Sequence, residues 1–124
     1  MNKNIMLMLF MVFGLIGSGN ILEAASQEKA IKHGKEHFKI FCTNCHGPNA
    51  DGKGALVEAM KITPSDLTVL NMTGDISVAE RVLRAVSGKH DVPIGQKHDM
   101  PDFSANLESI TIYEMVLFLK SIQK

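Results

Sequence analysis

The residues with the clearest chemical potential are the five at positions 42–46, CTNCH, which contain the only two cysteines of the chain. Their C-x-x-C-H spacing is the pattern of covalent c-type haem attachment. Two thiols separated by two residues can reach the two vinyl groups on one edge of a porphyrin, and the next residue is carried beneath the iron. We therefore predict that Cys42 and Cys45 form thioether bonds to one haem c, with His46 as the proximal ligand of its iron.

Three other uses of the same motif have less support in the sequence. A disulfide between Cys42 and Cys45 is possible in an oxidising compartment, but a loop of two residues constrains little of the unfolded chain. A thioredoxin-like redox motif requires a βαβ context, whereas the surrounding pattern is helical. A zinc site requires four ligands, and no second cysteine pair follows at finger spacing.

The sixth position of a haem iron needs another ligand, and the sequence favours Met100. This residue lies in a long irregular segment and is followed by Pro101, which restricts the preceding residue to an extended backbone and stiffens the strap that presents the sulfur. Met115 is on the apolar face of a helix and is more simply a core residue. The full set of candidates is Met60, Met72, Met100, Met115, His33, His37, His90 and His98.

The main rival to Met100 comes from a repeat, KHDVP at 89–93 and KHDMP at 97–101. His90 and His98 occupy equivalent places in the two copies, so His98 could also approach the iron. Residues two apart in an extended strap share a face but lie about 6.5 Å apart. One strap therefore cannot easily direct both His98 and Met100 to one iron.

The first predicted helix of the folded domain spans Gln27–Phe41, with Ser26 as its N-cap. Gly34 inside it costs roughly 1 kcal/mol relative to alanine, which suggests that another backbone or ring approaches closely. His33 and His37 are spaced i, i+4 on this helix. We interpret them as part of a solvated face, with adventitious binding of a transition metal as the alternative.

Three further helices follow from periodicity and capping signals. A short piece covers Ala55–Met60; a second helix begins after a Ser77/Glu80 capping box and ends at Gly88. The last helix spans Thr111–Ile122, with Ser109 as its N-cap. Two apolar stripes mark the buried faces of the last two helices: Val78, Val82, Leu83 and Val86 in one, and Ile112, Met115, Val116, Leu119 and Ile122 in the other.

The N-terminal residues 1–25 have the order of a secretory signal peptide, with an early lysine, a short apolar run and Ala24-Ala25 before the cut. The apolar run from Ile5 to Ile16 is shorter than the roughly 20 residues of a membrane-spanning helix. An uncleaved anchor would have to recruit Ile21 and Leu22. We predict export, most plausibly to a bacterial periplasm, and one domain over residues 26–124. The formal net charge of +0 gives no support for nucleic-acid binding or for a polybasic membrane patch.

With these motifs the chain resembles the small class I c-type cytochromes over residues 26–124. GKEHF before CTNCH is similar to the family's Gly-x-x-x-aromatic signature, in which Gly34 and Phe38 would meet Phe118–Leu119 of the last helix. HGPNADGKG, TPSDLT and DMPDF are similar to the loop after the haem histidine, the P-x-D-L segment and the methionine strap. The resemblance implies an all-α domain of four to five helices around one haem, with His46 and Met100 as axial ligands. It also implies that a backbone carbonyl orients the histidine, and Pro48 and Pro64 are the candidates.

These features favour a soluble exported electron carrier rather than an enzyme. Such a carrier would pass single electrons between respiratory redox proteins through transient contacts, with Leu56 and Val57 near the exposed haem edge. One alternative is a fixed haem subunit of a larger oxidoreductase. Another is a haem sensor or enzyme that binds a small molecule, which would need His90 or His98 over the haem as an acid–base group.

Overall fold

The structure is a computed structural model that describes residues 18–72, 74–89 and 100–124, and every regular element in them is helical. The all-α prediction is therefore confirmed for this part of the chain. The elements, in order, are α1 Ser18–Phe41, α2 Thr43–His46, α3 Val57–Met60, a 3₁₀-helix Leu67–Met72, α4 Val78–Val86 and α5 Ser109–Ser121.

Helix α1 begins well before the predicted start at Gln27, and Ser26 is not its N-cap. The Ser26 hydroxyl lies inside the helix, where it donates to the carbonyl of Glu23 at 2.8 Å. The residues just before Ser26, from Leu22 to Ala25, are good helix formers and no proline interrupts them, so their intrinsic preference is helical. The helix runs unbroken through Ala24 and Ala25, the position at which cleavage is predicted.

Helices α1 and α5 cross closely at Gly34. A Cβ added to Gly34 would lie 2.5 Å from the carbonyl carbon of Glu114 and 3.0 Å from the amide nitrogen of Met115. One turn further along α1, the rings of Phe38 and Phe118 lie 5.4 Å apart between centroids. The predicted close approach at Gly34 is confirmed. Phe38 meets Phe118 as the resemblance implies, whereas Gly34 meets Glu114 and Met115, about one turn before Phe118–Leu119.

The hydrophobic core joins α1, α4 and α5. Leu83 is an exception to the predicted stripe of α4, because 52% of its surface is exposed. It lies on the flank of the helix that the other three apolar positions do not share. The buried cluster consists of Phe38, Ala50, Val78, Val82, Val86, Val116, Phe118 and Leu119.

The ends of α4 lie where the sequence predicts them, whereas the start of α5 does not. The Ser77 side chain accepts a hydrogen bond from the amide of Glu80, as the capping box predicts, and Gly88 has a φ of +64° just past the end of the helix. Helix α5 starts two residues earlier than predicted. Glu108 is its N-cap and Ser109 its first residue, without a side-chain cap, so the prediction of Ser109 as the cap is wrong.

Several sequence predictions lie outside the described residues. They concern the apolar run Ile5–Ile16, the first KHDVP copy with His90, and His98 in the second copy. Within the described ranges, no helix is both long enough and apolar enough to cross a membrane.

Candidate functional site

The CTNCH segment forms a short helical turn directly after α1. The amide of His46 donates to the carbonyl of Cys42 at 2.8 Å, and the amide of Cys45 donates to the same carbonyl at 3.2 Å. In a helical turn, residues i, i+3 and i+4 share one face. The two cysteines and the histidine therefore project from the same side of the turn, and all three are half-buried.

Both cysteines are free thiols, and the environment of Cys42 is unlike that of a redox-active cysteine. Burial, reinforced by the neighbouring Cys45, raises the pKa of the Cys42 thiol to about 11. Reactive cysteines in disulfide exchange have lowered pKa values and are found in electropositive surroundings. The raised pKa of the Cys42 thiol thus disfavours the thioredoxin-like interpretation of the motif.

The imidazole of His46 is held by a backbone carbonyl from a distant segment. Its Nδ1 lies 3.1 Å from the carbonyl oxygen of Ser65, nineteen residues away, and donates to it. Burial lowers the pKa of His46, and the bond to Ser65 acts in the opposite direction. A neutral ring with Nδ1–H engaged presents Nε2 as its free lone pair, which is the usual state of a histidine that ligates a metal.

The orienting carbonyl was expected from Pro48 or Pro64, and it comes from neither. Pro64 immediately precedes Ser65, so the expected segment is right and the residue is displaced by one. A Cβ on Gly52 would lie 2.5 Å from the carbonyl oxygen of Pro64, so the loop after the motif packs directly on this segment.

The loop over residues 47–56 is fastened to the CTNCH turn by backbone hydrogen bonds. The amides of Gly52, Gly54 and Leu56 donate to the carbonyls of His46, Cys45 and Asn44, at 2.9, 3.1 and 2.9 Å respectively. A Cβ on Gly54 would overlap the carbonyl oxygen of Asn44 and lie 2.5 Å from that of Cys45. The loop therefore needs glycine at this position to lie flat on the turn that carries Cys42, Cys45 and His46.

The segment that supplies the Ser65 carbonyl is itself rigidly held. The amide of Leu67 donates to the carbonyl of Ala50 at 2.8 Å, which ties the segment to the same loop. The carboxylate of Asp66 accepts from both the hydroxyl and the amide of Thr68, at 2.6 and 2.8 Å. These two bonds hold the pKa of Asp66 below its usual range, although the carboxylate is exposed.

Of the four methionines in the described residues, Met100 has the surroundings that a haem ligand needs. It is half-buried and packs against the hydrophobic core, as does Cys42. Met60 and Met72 are 55% and 63% exposed, whereas Met115 is 2% exposed and belongs to the core as predicted.

The strap that carries Met100 is anchored to α4. The amide of Phe103 donates to the carbonyl of Val86 at 2.8 Å. Asp102 accepts from the amide of Ser104 at 2.8 Å, and hydrogen bonding from the side chain and then the amide of Ser104 lowers the pKa of Asp102. The strap therefore meets α4 at its C-terminal end, close to the buried face of that helix.

His33 is exposed, as predicted, and His37 is half-buried, but both rings also contact α5. Nδ1 of His33 and Nε2 of His37 lie 3.1 and 3.0 Å from the two carboxylate oxygens of Glu114 on α5. One carboxylate thus bridges both rings beside Gly34. Among the described residues, no group of three or more His, Cys, Asp or Glu side chains is arranged to hold a metal ion. The two rings therefore have a structural role at the α1–α5 crossing.

Two surface cavities lie away from these residues. One of about 340 Å³ is between α1 and α5, and one of about 180 Å³ is between α4 and α5; neither is lined by the motif or by Met100. Both are shallow and open to solvent.

The donor set fits a covalently attached haem. Two free thiols on one face, an imidazole with Nδ1 engaged and a half-buried thioether at the same core are the groups that such a cofactor requires. Comparison with known proteins finds no matching family model, no similar curated sequence and no similar solved structure. What the site binds must therefore be inferred from its own residues.

Proposed function

We propose that the protein is an exported monohaem c-type cytochrome that carries single electrons between larger redox proteins. The observation that supports this most strongly is the turn at residues 42–46. It presents two free thiols and an imidazole on one face, with Nδ1 of His46 already bonded to the carbonyl of Ser65. Nε2 is then the nitrogen left for an iron, which matches the needs of a proximal ligand.

The proposed cofactor is one haem c, attached through Cys42 and Cys45 and ligated by His46 and Met100. When bound, it supplies an iron that gains and loses one electron. The residues of the chain hold it, exclude water from the ligands and fix the ring of His46. Ligation by histidine and methionine raises the reduction potential relative to more basic ligand sets, which suits a respiratory carrier.

Apolar side chains around the motif fit transient docking of redox partners. Ile40, Leu56 and Met60 are 65%, 39% and 55% exposed, and the amide of Leu56 is bonded to Asn44 within the motif. A small apolar face beside a cofactor allows contacts that are specific but short-lived. Docking through such a face also agrees with the resemblance to the class I cytochromes.

The visible spectrum of the holoprotein, made in a host that matures c-type haem, tests this function. We expect a low-spin spectrum with the weak red-edge band of a sulfur–ferric iron bond. Haem should remain attached after denaturation in the parent and should be lost in the Cys42→Ala, Cys45→Ala double variant. Haem that stays covalently attached without both cysteines would refute the proposal.

The assignment of the methionine ligand has its own test. Met100→Ala should abolish the red-edge band and lower the reduction potential, because the iron loses its sulfur ligand. Met60→Ala, at an exposed methionine outside the core, is the matched control and should change neither. If Met100→Ala kept both the band and the potential, another residue would be the ligand.

A further inference from the structure

One side-chain polar atom of the described residues is buried without a hydrogen-bond partner, the Nε of Arg81. Arg81 belongs to α4, and as a whole it is half-buried. A guanidinium is charged at every accessible pH, and it is the side chain best suited to planar recognition of carboxylates and phosphates. A buried donor left unsatisfied destabilises the fold, and the effect is larger when the group is charged. The position therefore indicates a binding site for an anionic group.

No carboxylate in the described residues accepts a hydrogen bond from Nε of Arg81. Glu80 is paired with Arg84 at 3.4 Å on the exposed side of α4. Asp75, in the turn before the helix, is exposed and forms no ion pair with Arg81 in the described structure. The guanidinium instead lies against the backbone of Gly74, where an added Cβ would be 3.1 Å from its Nη2.

The side of α4 that carries Arg81 faces away from α5. Ala79 and Leu83 line the cavity of about 180 Å³ that α4 shares with α5, so their edge of the helix faces α5. At 3.6 residues per turn, Arg81 lies about 180° around the helix from the midpoint of these two residues. The face between the two edges is the buried one, formed by Val78, Val82 and Val86.

The buried face of α4 belongs to the same cluster against which Cys42 and Met100 pack. A group held by these two residues therefore lies on the core side of α4, and the edge with Arg81 is the one that α5 leaves uncovered. We propose that Arg81 binds a propionate carboxylate of the haem. This inference rests on the proposed function, because the haem supplies the carboxylate.

Such a pair has a predictable effect on redox behaviour. In a redox titration, the iron would take up one electron from the mediator. Over a limited range of pH, the propionate would take up one proton from solvent in the same step. A cation beside the carboxylate lowers the pH at which this coupling begins, since it favours the ionised form. The same cation disfavours the ferric iron and so raises the reduction potential.

The test is the reduction potential of the holoprotein as a function of pH, for the parent and for Arg81→Gln, Arg81→Lys and Arg84→Gln. Arg81→Gln should move the onset of the pH-dependent region upward by about 1–3 pH units and lower the potential above it. Arg81→Lys should retain most of the parent behaviour because it keeps the charge. Arg84→Gln is the control on the exposed side of α4 and should leave the onset unchanged. An onset that does not move in Arg81→Gln overturns the inference.

A second measurement does not depend on how well the variants fold. In the ferrous parent protein, the Nε–H proton of Arg81 should give a nuclear Overhauser contact to the propionate methylene protons, and its absence would also overturn the inference. The proposed function fails in a different way, through a preparation that contains no covalently bound haem. A protein with bound haem, the sulfur–iron band and no role for Arg81 would leave the carrier proposal intact.

Discussion

Replacing Gly34 by alanine should destabilise the protein, although alanine is the better helix former. The new Cβ would lie 2.5 Å from the carbonyl carbon of Glu114 and 3.0 Å from the amide nitrogen of Met115, and it would overlap the carbonyl oxygen of Glu114. All three contacts are with backbone atoms. No side chain can rotate away, so α1 and α5 must separate.

The magnitude follows from two opposing terms. In an exposed helix, alanine would gain roughly 1 kcal/mol over glycine. Overpacking by a methyl group against a fixed neighbour costs about 1–3 kcal/mol and occasionally more, and separation of the helices also loosens the contact between Phe38 and Phe118. We place the cost at the upper end because the neighbour is backbone, and expect a net loss of about 2 kcal/mol. For a domain near 100 residues, this lowers Tm by about 8–16 °C.

The assay is thermal and denaturant unfolding of the holoprotein, followed by circular dichroism. Lys35→Ala, one residue along the same helix and exposed, is the control and should lie within about 0.5 kcal/mol of the parent. Truncation of the Glu114 side chain should not rescue Gly34→Ala, because the steric conflict is with the backbone. A Gly34→Ala protein as stable as the parent would refute the close crossing of α1 and α5.

Two further predictions concern the polar contacts of the fold. Glu114→Ala should cost about 1–2 kcal/mol in denaturant unfolding, because the rings of His33 and His37 lose their shared acceptor; a variant with unchanged stability would show that the bridge contributes nothing. Asp66→Asn should be less stable than the parent near pH 7. Because bonds from Thr68 lower the folded pKa of Asp66, its contribution is fully present above the unfolded value of about 3.9 and disappears as the pH falls through the folded value. Tm measured at neutral and at strongly acidic pH should therefore show a difference that shrinks with acid, and a constant difference would contradict the prediction.

The features that could be predicted from the sequence are set by residues close together in the chain. The Ser77/Glu80 cap, the φ of Gly88 and the burial of Met115 follow from residue type and spacing within one helix. The close approach at Gly34 was also predictable, because a glycine in the interior of a helix is costly unless a close neighbour requires it.

The features that sequence missed depend on residues far apart in the chain. Glu114 is separated from His33 by 81 positions and from His37 by 77, and nothing in the spacing of the two histidines points to it. The start of α1 was misplaced for a different reason. Ser26 is a good N-cap residue, but the residues before it also favour a helix. The helix therefore continues through Ser26 instead of starting there.

The orientation of His46 shows why the site could be only partly read from the motif. The CTNCH pattern predicts which residues would hold the proposed haem, but the plane of the imidazole is set by the carbonyl of Ser65. That carbonyl is fixed from both sides, by the packing of Gly52 on Pro64 and by the bond from the amide of Leu67 to the loop.

A histidine held in this way does not depend on the iron for its orientation, because its partner carbonyl belongs to a loop with its own backbone hydrogen bonds. Ligands that are preorganised by surrounding contacts move little when the charge of the metal changes. In the proposed carrier, the ring would keep the same carbonyl bond in the ferric and ferrous states, so little structural rearrangement would accompany each electron. In that carrier, the glycines of the loop after the motif would serve electron transfer indirectly, because they let the loop lie close enough to hold the segment that orients the ring.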